Sequence, residues 1–288
     1  MAVYERNYKG YQGSLTPDWS RFLVLPRYTF RLVFASKLFL GFFIMCLLPS
    51  VVLGTLVYLR HNLAILEKVG LNIQDFIAID AQLFWIFLSI QTLLMGFVLI
   101  LVVAPQLVSS DLANNALPLY LARPFNRTEY VLGKMSVLLI LLSAISWVPN
   151  LLLFSLQSYL AGWDWFVANV RIGIGIFVYS WVWILANSLI ALALSALFRN
   201  KRVIRISLFG LYFILAGFGG FLYGALGLVW GMNLNLVAVQ QRIAEGLLGV
   251  EPELPEVTLL SAWATVLVFC AISLYALARK IRAYEEVK

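Results

Sequence analysis

The chain has 288 residues, of which 62% are hydrophobic and only 12% are charged. Soluble globular domains are roughly 45–50% apolar and about 25% charged, so this composition excludes an ordinary soluble protein and predicts lipid as the main solvent. Disorder is also excluded, because unfolded chains have low hydrophobicity, whereas 15% of this chain is aromatic. The single histidine argues against a histidine-based zinc site, which commonly uses several such ligands. Both cysteines lie in apolar runs and are interpreted as small buried hydrophobes.

Six apolar runs are long enough to cross a bilayer. A hydrocarbon core about 30 Å thick is spanned by about 20 helical residues. The runs cover 38–59, 83–108, 135–160, 172–197, 206–230 and 258–278, and none contains Lys, Arg, Asp or Glu. They are about twice as long as the strands of a membrane barrel. The predicted fold is therefore an all-α polytopic membrane protein with a six-helix transmembrane domain over 38–278.

The basic residues are unevenly distributed among the segments between these runs. Of the 21 lysines and arginines, 17 fall before the first run, after the second, after the fourth or after the sixth. The positive-inside rule therefore predicts that both termini are cytoplasmic. The formal net charge of +7 is thus a topology signal that suits anionic lipid headgroups, and no nucleic-acid partner is predicted.

The segments outside the six runs are short. No cleavable signal peptide is evident before the first run, because residues 1–37 are polar and basic. The aromatic and aliphatic residues of that segment alternate with arginines and favour a helix in the headgroup layer, although an irregular basic tail is the alternative. These apolar residues are Trp19, Phe22, Leu23 and Leu25. Residues 231–257 form an outer loop whose leucine-rich first half is expected to re-enter the membrane as a short helix, and residues 279–288 form a cytoplasmic tail.

Four uncharged polar side chains are predicted deep inside the runs: Gln91, Asn150, Gln157 and Asn187. Hydrogen bonds between helices, typically worth under about 1 kcal/mol each, are one interpretation, and a lining of the substrate path is the other. No acidic or basic residue lies at this depth. Ion-coupled carriers usually place an ionisable group near the bilayer midplane, so a secondary transporter is disfavoured.

The fifth run carries glycines at intervals of seven residues, which is nearly two helical turns. The residues are Gly210, Gly217, Gly224 and Gly231, with Gly220 and Gly227 as a second row. One face of this helix is therefore predicted to lack side chains, so another helix can approach it closely. Packing within the chain and a dimer seam are both compatible with this pattern.

The segment 109–134 between the second and third runs holds the most specific pattern. Asp111 is expected to cap a short helix that ends near Leu117, because Pro118 disfavours a helical residue before it. Asn126 and Glu129 have the spacing of a capping box for a helix entering the third run. The sequence thus predicts a short amphipathic element between two rigid spans, which either receives a soluble partner or anchors the chain in the headgroup layer.

This segment resembles the one after the second span in membrane subunits of the ABC-2 family of ATP-binding cassette transporters. The matching residues are Ser110-Asp111, then Ala116-Leu117-Pro118-Leu119-Tyr120-Leu121-Ala122-Arg123-Pro124, then Arg127-Thr128-Glu129-Tyr130 and Gly133-Lys134. Six spans, cytoplasmic termini, an interfacial helix and an outer re-entrant element are also similar to that family. Where the family often has Gly-Thr after the acidic residue, this chain has Asn115-Ala116.

The resemblance implies a transmembrane domain like that of type V exporters and a plasma membrane of bacterial or archaeal type. It implies that two permease subunits, identical or paralogous, assemble with two ATPase subunits that bind the ATP and Mg. It also implies that segment 109–134 contains a coupling helix that docks on the ATPase. The implied docking residues are Asp111, Leu117, Tyr120, Leu121, Arg123 and Pro124.

The chain itself lacks a P-loop, because Gly133-Lys134-Met135 has neither the upstream glycine nor the hydroxyl residue of that motif. The leading hypothesis is therefore a non-enzymatic permease subunit, an exporter, without a cofactor of its own. One alternative is a membrane-embedded enzyme acting on lipid-type substrates, although no cluster of Asp, Glu or His at the membrane face is visible. The other is a membrane scaffold that transports nothing.

Overall fold

A computed structural model describes residues 24–62, 78–114 and 127–281. These ranges are helical and contain no strand. The α-helices are Val24–Phe34, Lys37–Met45, Leu48–His61, Ala81–Ser89, Phe97–Val103, Ser109–Ala113, Arg127–Ile145, Trp147–Ala161, Trp163–Leu197, Lys201–Leu226, Leu236–Leu248 and Leu259–Lys280. A π-helix covers Ile90–Gly96, and 3-10 helices cover Ala104–Gln106 and Val229–Leu234.

The protein is an integral multi-pass membrane protein. Six helices in the described ranges are long and apolar enough to cross a bilayer, which confirms the predicted number. From first to sixth, these spans are Lys37–His61, Ala81–Ala113, Arg127–Ala161, Trp163–Leu197, Lys201–Leu226 and Leu259–Lys280. The fourth span begins nine residues before the start of its predicted run, and the fifth span ends four residues before the end of its predicted run. Polar residues in the first turns of the fourth span hide its start from a search for uninterrupted apolar sequence.

The fourth span is the centre of the bundle. Within its most apolar part, 67% of the residues are buried, against 17% in the sixth span. Small residues let neighbours approach its backbone closely. A Cβ atom on Gly175 would lie 3.1 Å from the carbonyl oxygen of Leu247, and one on Gly173 would lie 2.8 Å from the ring of Phe154. The third span, the sixth span and the Leu236–Leu248 helix therefore pack against one central helix.

Three of the spans change course part way along. The third span breaks at Ser146, three residues before Pro149, which has no N–H to continue the helical hydrogen bonds. The first span breaks at Leu47, ahead of another proline at the start of its second part. The second span widens into the π-helix and tightens into a 3-10 turn at Pro105. Buried polar side chains meet where the first and third spans break and where the second span forms the π-helix.

A short helix, Val24–Phe34, precedes the first span and packs on the third. Its buried face includes Leu25 and Val33, whereas Arg27, Tyr28 and Arg31 are exposed. Basic and aromatic side chains on the open face of an amphipathic helix are typical of helices in the headgroup layer. Of the four apolar residues that favour this interpretation in the sequence, the structure describes Leu25.

The loop between the fifth and sixth spans contains the helix Leu236–Leu248. The Asn235 side chain caps its first turn, accepting hydrogen bonds from the amides of Val237 and Ala238 at 3.1 and 3.2 Å. One face is fully buried against the fourth and sixth spans. At its other end, the Arg171 guanidinium donates to the carbonyl oxygens of Gly246 and Leu247 at 2.7 and 3.2 Å. Both ends of this helix are thus fixed by side chains.

Candidate functional site

Where the second span ends and the third begins, three side chains meet. The Asp111 carboxylate lies 2.8 Å from the Lys134 ammonium, and the Tyr130 hydroxyl donates to the same carboxylate oxygen at 2.7 Å. The side chains of Lys134 and Asp111 are only 7% and 13% exposed. We call these three residues the junction cluster, and we call this end of the bundle the Asp111 end.

The geometry of the junction cluster follows from helical spacing. Tyr130 and Lys134 are four residues apart on the third span and therefore share one face. The Lys134 ammonium also lies 5.7 Å from the centre of the Tyr130 ring, within reach of a cation–π contact. A buried ion pair gains little net stability over an apolar pair, but the loss of one partner leaves a buried charge and costs about 3–5 kcal/mol. The cluster therefore depends on all of its charges being present.

The expected capping role of Asp111 is wrong. The helix Ser109–Ala113 starts after Val108 without a side-chain cap, and Asp111 lies inside its first turn. The carboxylate bonds to the third span instead of to the amides of its own helix, because the ammonium of Lys134 is the stronger partner. This helix ends at Ala113, and Leu117 lies outside the described residues.

Ser195 holds the same part of the second span against the fourth. Its hydroxyl oxygen accepts hydrogen bonds from the backbone amides of Val108 and Ser109, both at 3.1 Å, and all three residues are buried. These amides belong to the N-cap and the first residue of the helix Ser109–Ala113, so they have no carbonyl partner within it. The end of the second span is thus bound to the fourth span through its backbone and to the third span through Asp111.

Most of the predicted docking residues are not part of the described structure. Asp111 is the described member of the set, and the remaining members lie between 115 and 126, outside the described residues. These are Leu117, Tyr120, Leu121, Arg123 and Pro124. Asn126, proposed for the capping box, lies there too, whereas Glu129 is in the first turn of the third span. Their roles remain predictions.

A second polar centre lies at the kinks of the first, second and third spans. The Gln91 amide donates to the Ser50 hydroxyl at 2.5 Å and to the Cys46 carbonyl at 3.4 Å. Asn150 donates to the Gln91 side-chain oxygen at 2.6 Å and to the Ser146 carbonyl at 2.7 Å. All of these side chains are buried. The predicted hydrogen bonding between helices is present here, at the proline break and the π-helix.

The other two deep polar residues make separate contacts. The Tyr212 hydroxyl of the fifth span donates to the Asn187 side-chain oxygen of the fourth, which is another bond between helices. Gln157 is buried on the same face of the third span as Asn150, and its side-chain oxygen has no partner among the described residues. The structure therefore brings Gln91 and Asn150 together and holds Asn187 on another pair of spans. A substrate path along these residues remains a prediction.

Some buried polar groups escaped sequence reasoning. Ser195 looks like any small residue of an apolar run, and Gln240 lies in the loop between the fifth and sixth spans, where an exposed side chain is the usual expectation. Gln240 is 3% exposed and lines a narrow gap together with Tyr179 and Trp183. Its amide makes no hydrogen bond of ordinary geometry within the described ranges. For the junction cluster, by contrast, the sequence does contain a signal. Lys134 borders the third run, and the acidic residue Asp111 lies just after the second.

The glycine row of the fifth span is open over part of its length. A Cβ atom on Gly217 or Gly224 would meet no atom of the described chain within 4 Å apart from its chain neighbours and its own helix backbone, and the same holds for Gly220. A Cβ on Gly210 would meet only Ile214 of its own helix. Gly231 does not belong to this face. The helix ends at Leu226, and Gly231 is buried in the following turn, so its place in the predicted seam is wrong.

The loss of Gly231 from the row has a local cause. Gly227 has a φ angle of +66°, a left-handed conformation that ends helices and favours glycine. The amides of Gly227 and Leu228 bond back to the carbonyls of Tyr223 and Leu222 at 3.0 and 3.1 Å, which turns the chain back onto the helix. A period of seven in the sequence is therefore not one face of one helix.

No protein-family model matches this chain, and a search among curated proteins finds no match either.

Proposed function

We propose that the protein is the permease subunit of an ABC-2 type ATP-binding cassette transporter, an exporter of a plasma membrane, with both termini in the cytoplasm. One observation carries the proposal. The segment that resembles a coupling helix starts and ends at spans that are joined by a buried ion pair, so a push on that segment acts on two spans at once. Such a rigid attachment is what a chain needs if it is to be moved by a separate ATPase.

The wider layout supports the same proposal. The basic excess at the Asp111 end suits a cytoplasmic face. The amphipathic helix Leu236–Leu248, with one face buried against the spans, is compatible with the outer re-entrant element of that family. The open glycines of the fifth span suit close contact with a second permease subunit, identical or paralogous. ATP and Mg would be bound by the ATPase partner, not by this chain.

The test is reconstitution with the ATPase encoded beside this gene. We expect the two proteins to co-purify and to move a substrate only when ATP is hydrolysed. Tyr120→Ala and Arg123→Ala should weaken ATPase binding by about 2 kcal/mol or more, since truncation of central Tyr and Arg residues is costly at interfaces. Exposed Lys201→Met serves as a control. A chain that neither binds the ATPase nor alters its turnover would contradict the transporter proposal and favour a scaffold.

A further inference from the structure

The Asp111 carboxylate is already engaged within its own chain. One of its oxygens receives both the Tyr130 hydroxyl and the Lys134 ammonium, and its side chain is only 13% exposed. A residue that docks on a soluble partner must offer polar atoms to that partner. The geometry of Asp111 instead points inward, to the third span.

The junction cluster also closes a loop. Asp111 lies in the last helix of the second span, and Lys134 lies in the second turn of the third, so their contact brackets the whole segment 112–133. Ser195 fixes the backbone just before Asp111 to the fourth span. The second and third spans, which precede and follow the segment 115–126, are therefore held together by this ion pair.

We propose that Asp111, Tyr130 and Lys134 are positioning residues for coupling: they keep the second and third spans together so that a displacement of segment 115–126 moves both. In this role Asp111 acts on its own chain and not on the ATPase. The inference rests on the proposed function, and it separates the docking residues implied by the family resemblance into an internal anchor, Asp111, and a docking set within 115–126.

The first test needs no ATPase. The full chain in lipid nanodiscs is unfolded thermally for the wild type, Asp111→Asn, Lys134→Met and the double variant. We expect each single variant to lower the Tm, and the double variant to lower it by less than the sum, because the second substitution removes the unpaired charge left by the first. Asp164→Asn and Lys201→Met, both exposed, serve as matched controls. Additive losses of Tm would show that the two residues are not coupled and would overturn the proposal.

The second test separates docking from positioning in the reconstituted complex. Asp111→Asn should retain ATPase affinity yet reduce the substrate moved per ATP by roughly fivefold or more, the usual lower bound of an allosteric coupling. Tyr130→Phe should do so more weakly, because the ion pair remains. The charge swap Asp111→Lys with Lys134→Asp should recover part of the substrate moved per ATP. A role of the ion pair in folding alone would not predict a recovery of this ratio.

Two results would overturn the positioning role. If Asp111→Asn weakens ATPase binding as much as Arg123→Ala does, and the charge swap restores nothing, then Asp111 docks on the ATPase directly. If the wild-type chain binds no ATPase, the proposed function fails and the coupling role fails with it. The Tm cycle on the chain alone still reports whether the ion pair forms, so the two failures are distinguishable.

Discussion

A Cβ atom on Gly231 would lie 2.9 Å from the carbonyl oxygen of Gly219, so the turn after the fifth span packs backbone to backbone against that span. We expect Gly219→Leu and Gly231→Leu to destabilise the fold by about 1–3 kcal/mol or more, because there is no room for a side chain. Gly217→Leu should leave the stability of a single subunit nearly unchanged, since its position is open. Thermal unfolding in detergent measures the difference, and equal losses in all three variants would contradict it.

The open glycines give a separate prediction about assembly. If Gly217 and Gly224 face a second permease subunit, replacing either with Leu should break the dimer, because a bulky side chain prevents close approach of the backbones. Subunit counting by photobleaching in native-like membranes is the measurement. Phe213→Ala, a change on the same exposed side of the helix, provides a control that removes bulk instead of adding it. A dimer that persists in both leucine variants would assign these glycines to contact with lipid.

The Gln91 and Asn150 side chains should be energetically coupled. Either single change to Leu leaves buried polar groups without partners, which costs about 1–3 kcal/mol, whereas the double change removes the bonded pair together. A double-mutant cycle should therefore give a coupling free energy between about 0.6 and 1.7 kcal/mol, the average and the maximum for hydrogen bonds between membrane helices. Reversible unfolding in mixed micelles provides the energies. A coupling of zero would mean that the hydrogen bond at 2.6 Å contributes nothing in the membrane.

Arg171 should control the end of the Leu236–Leu248 helix. Its guanidinium bonds to two terminal carbonyls and lies against Gly249, whose φ angle is +82°. Arg171→Ala should weaken this end by about 1–2 kcal/mol, because charged hydrogen bonds and the favourable charge at a helix C-terminus are lost together. Hydrogen exchange of the Gly249 amide, bonded to the Glu245 carbonyl at 2.9 Å, should then be roughly tenfold faster.

Arg171→Lys is the matched control for that experiment. It keeps a positive charge at the end of the helix but loses the fork of two donors, so we expect an intermediate exchange rate. The amides of Val237 and Ala238, which the Asn235 side chain caps at the distant end of the helix, should keep their exchange rates in both variants. Exchange at Gly249 that is unchanged in Arg171→Ala would show that water replaces the guanidinium without cost.

The six spans were predictable because an uninterrupted apolar run about 20 residues long has few other uses. The site was only partly predictable. The sequence indicates that Asp111 is important, but it predicts the role of a helix cap, because local sequence contains capping patterns and does not contain the distance to Lys134. The prediction for Gly231 is wrong for a similar reason, because periodicity assumes that the helix continues, whereas Gly227 ends it. Contacts between distant segments, such as that of Ser195 with the end of the second span, have no local signature.

The π-helix Ile90–Gly96 and the 3-10 turn Ala104–Gln106 both change the rotation of the second span. Each residue turns an α-helix by about 100°, and a π-turn takes in an additional residue, so the parts before and after it are rotated relative to each other. Gln91, in this turn, contacts Asn150 of the third span, and Asp111, near the end of the same span, contacts Lys134 of the third span as well. Two polar contacts thus join one pair of helices along this irregular stretch, and we expect deletion of a residue between 90 and 96 to rotate the part that follows by about 100° and to weaken the second contact without changing either of its charges.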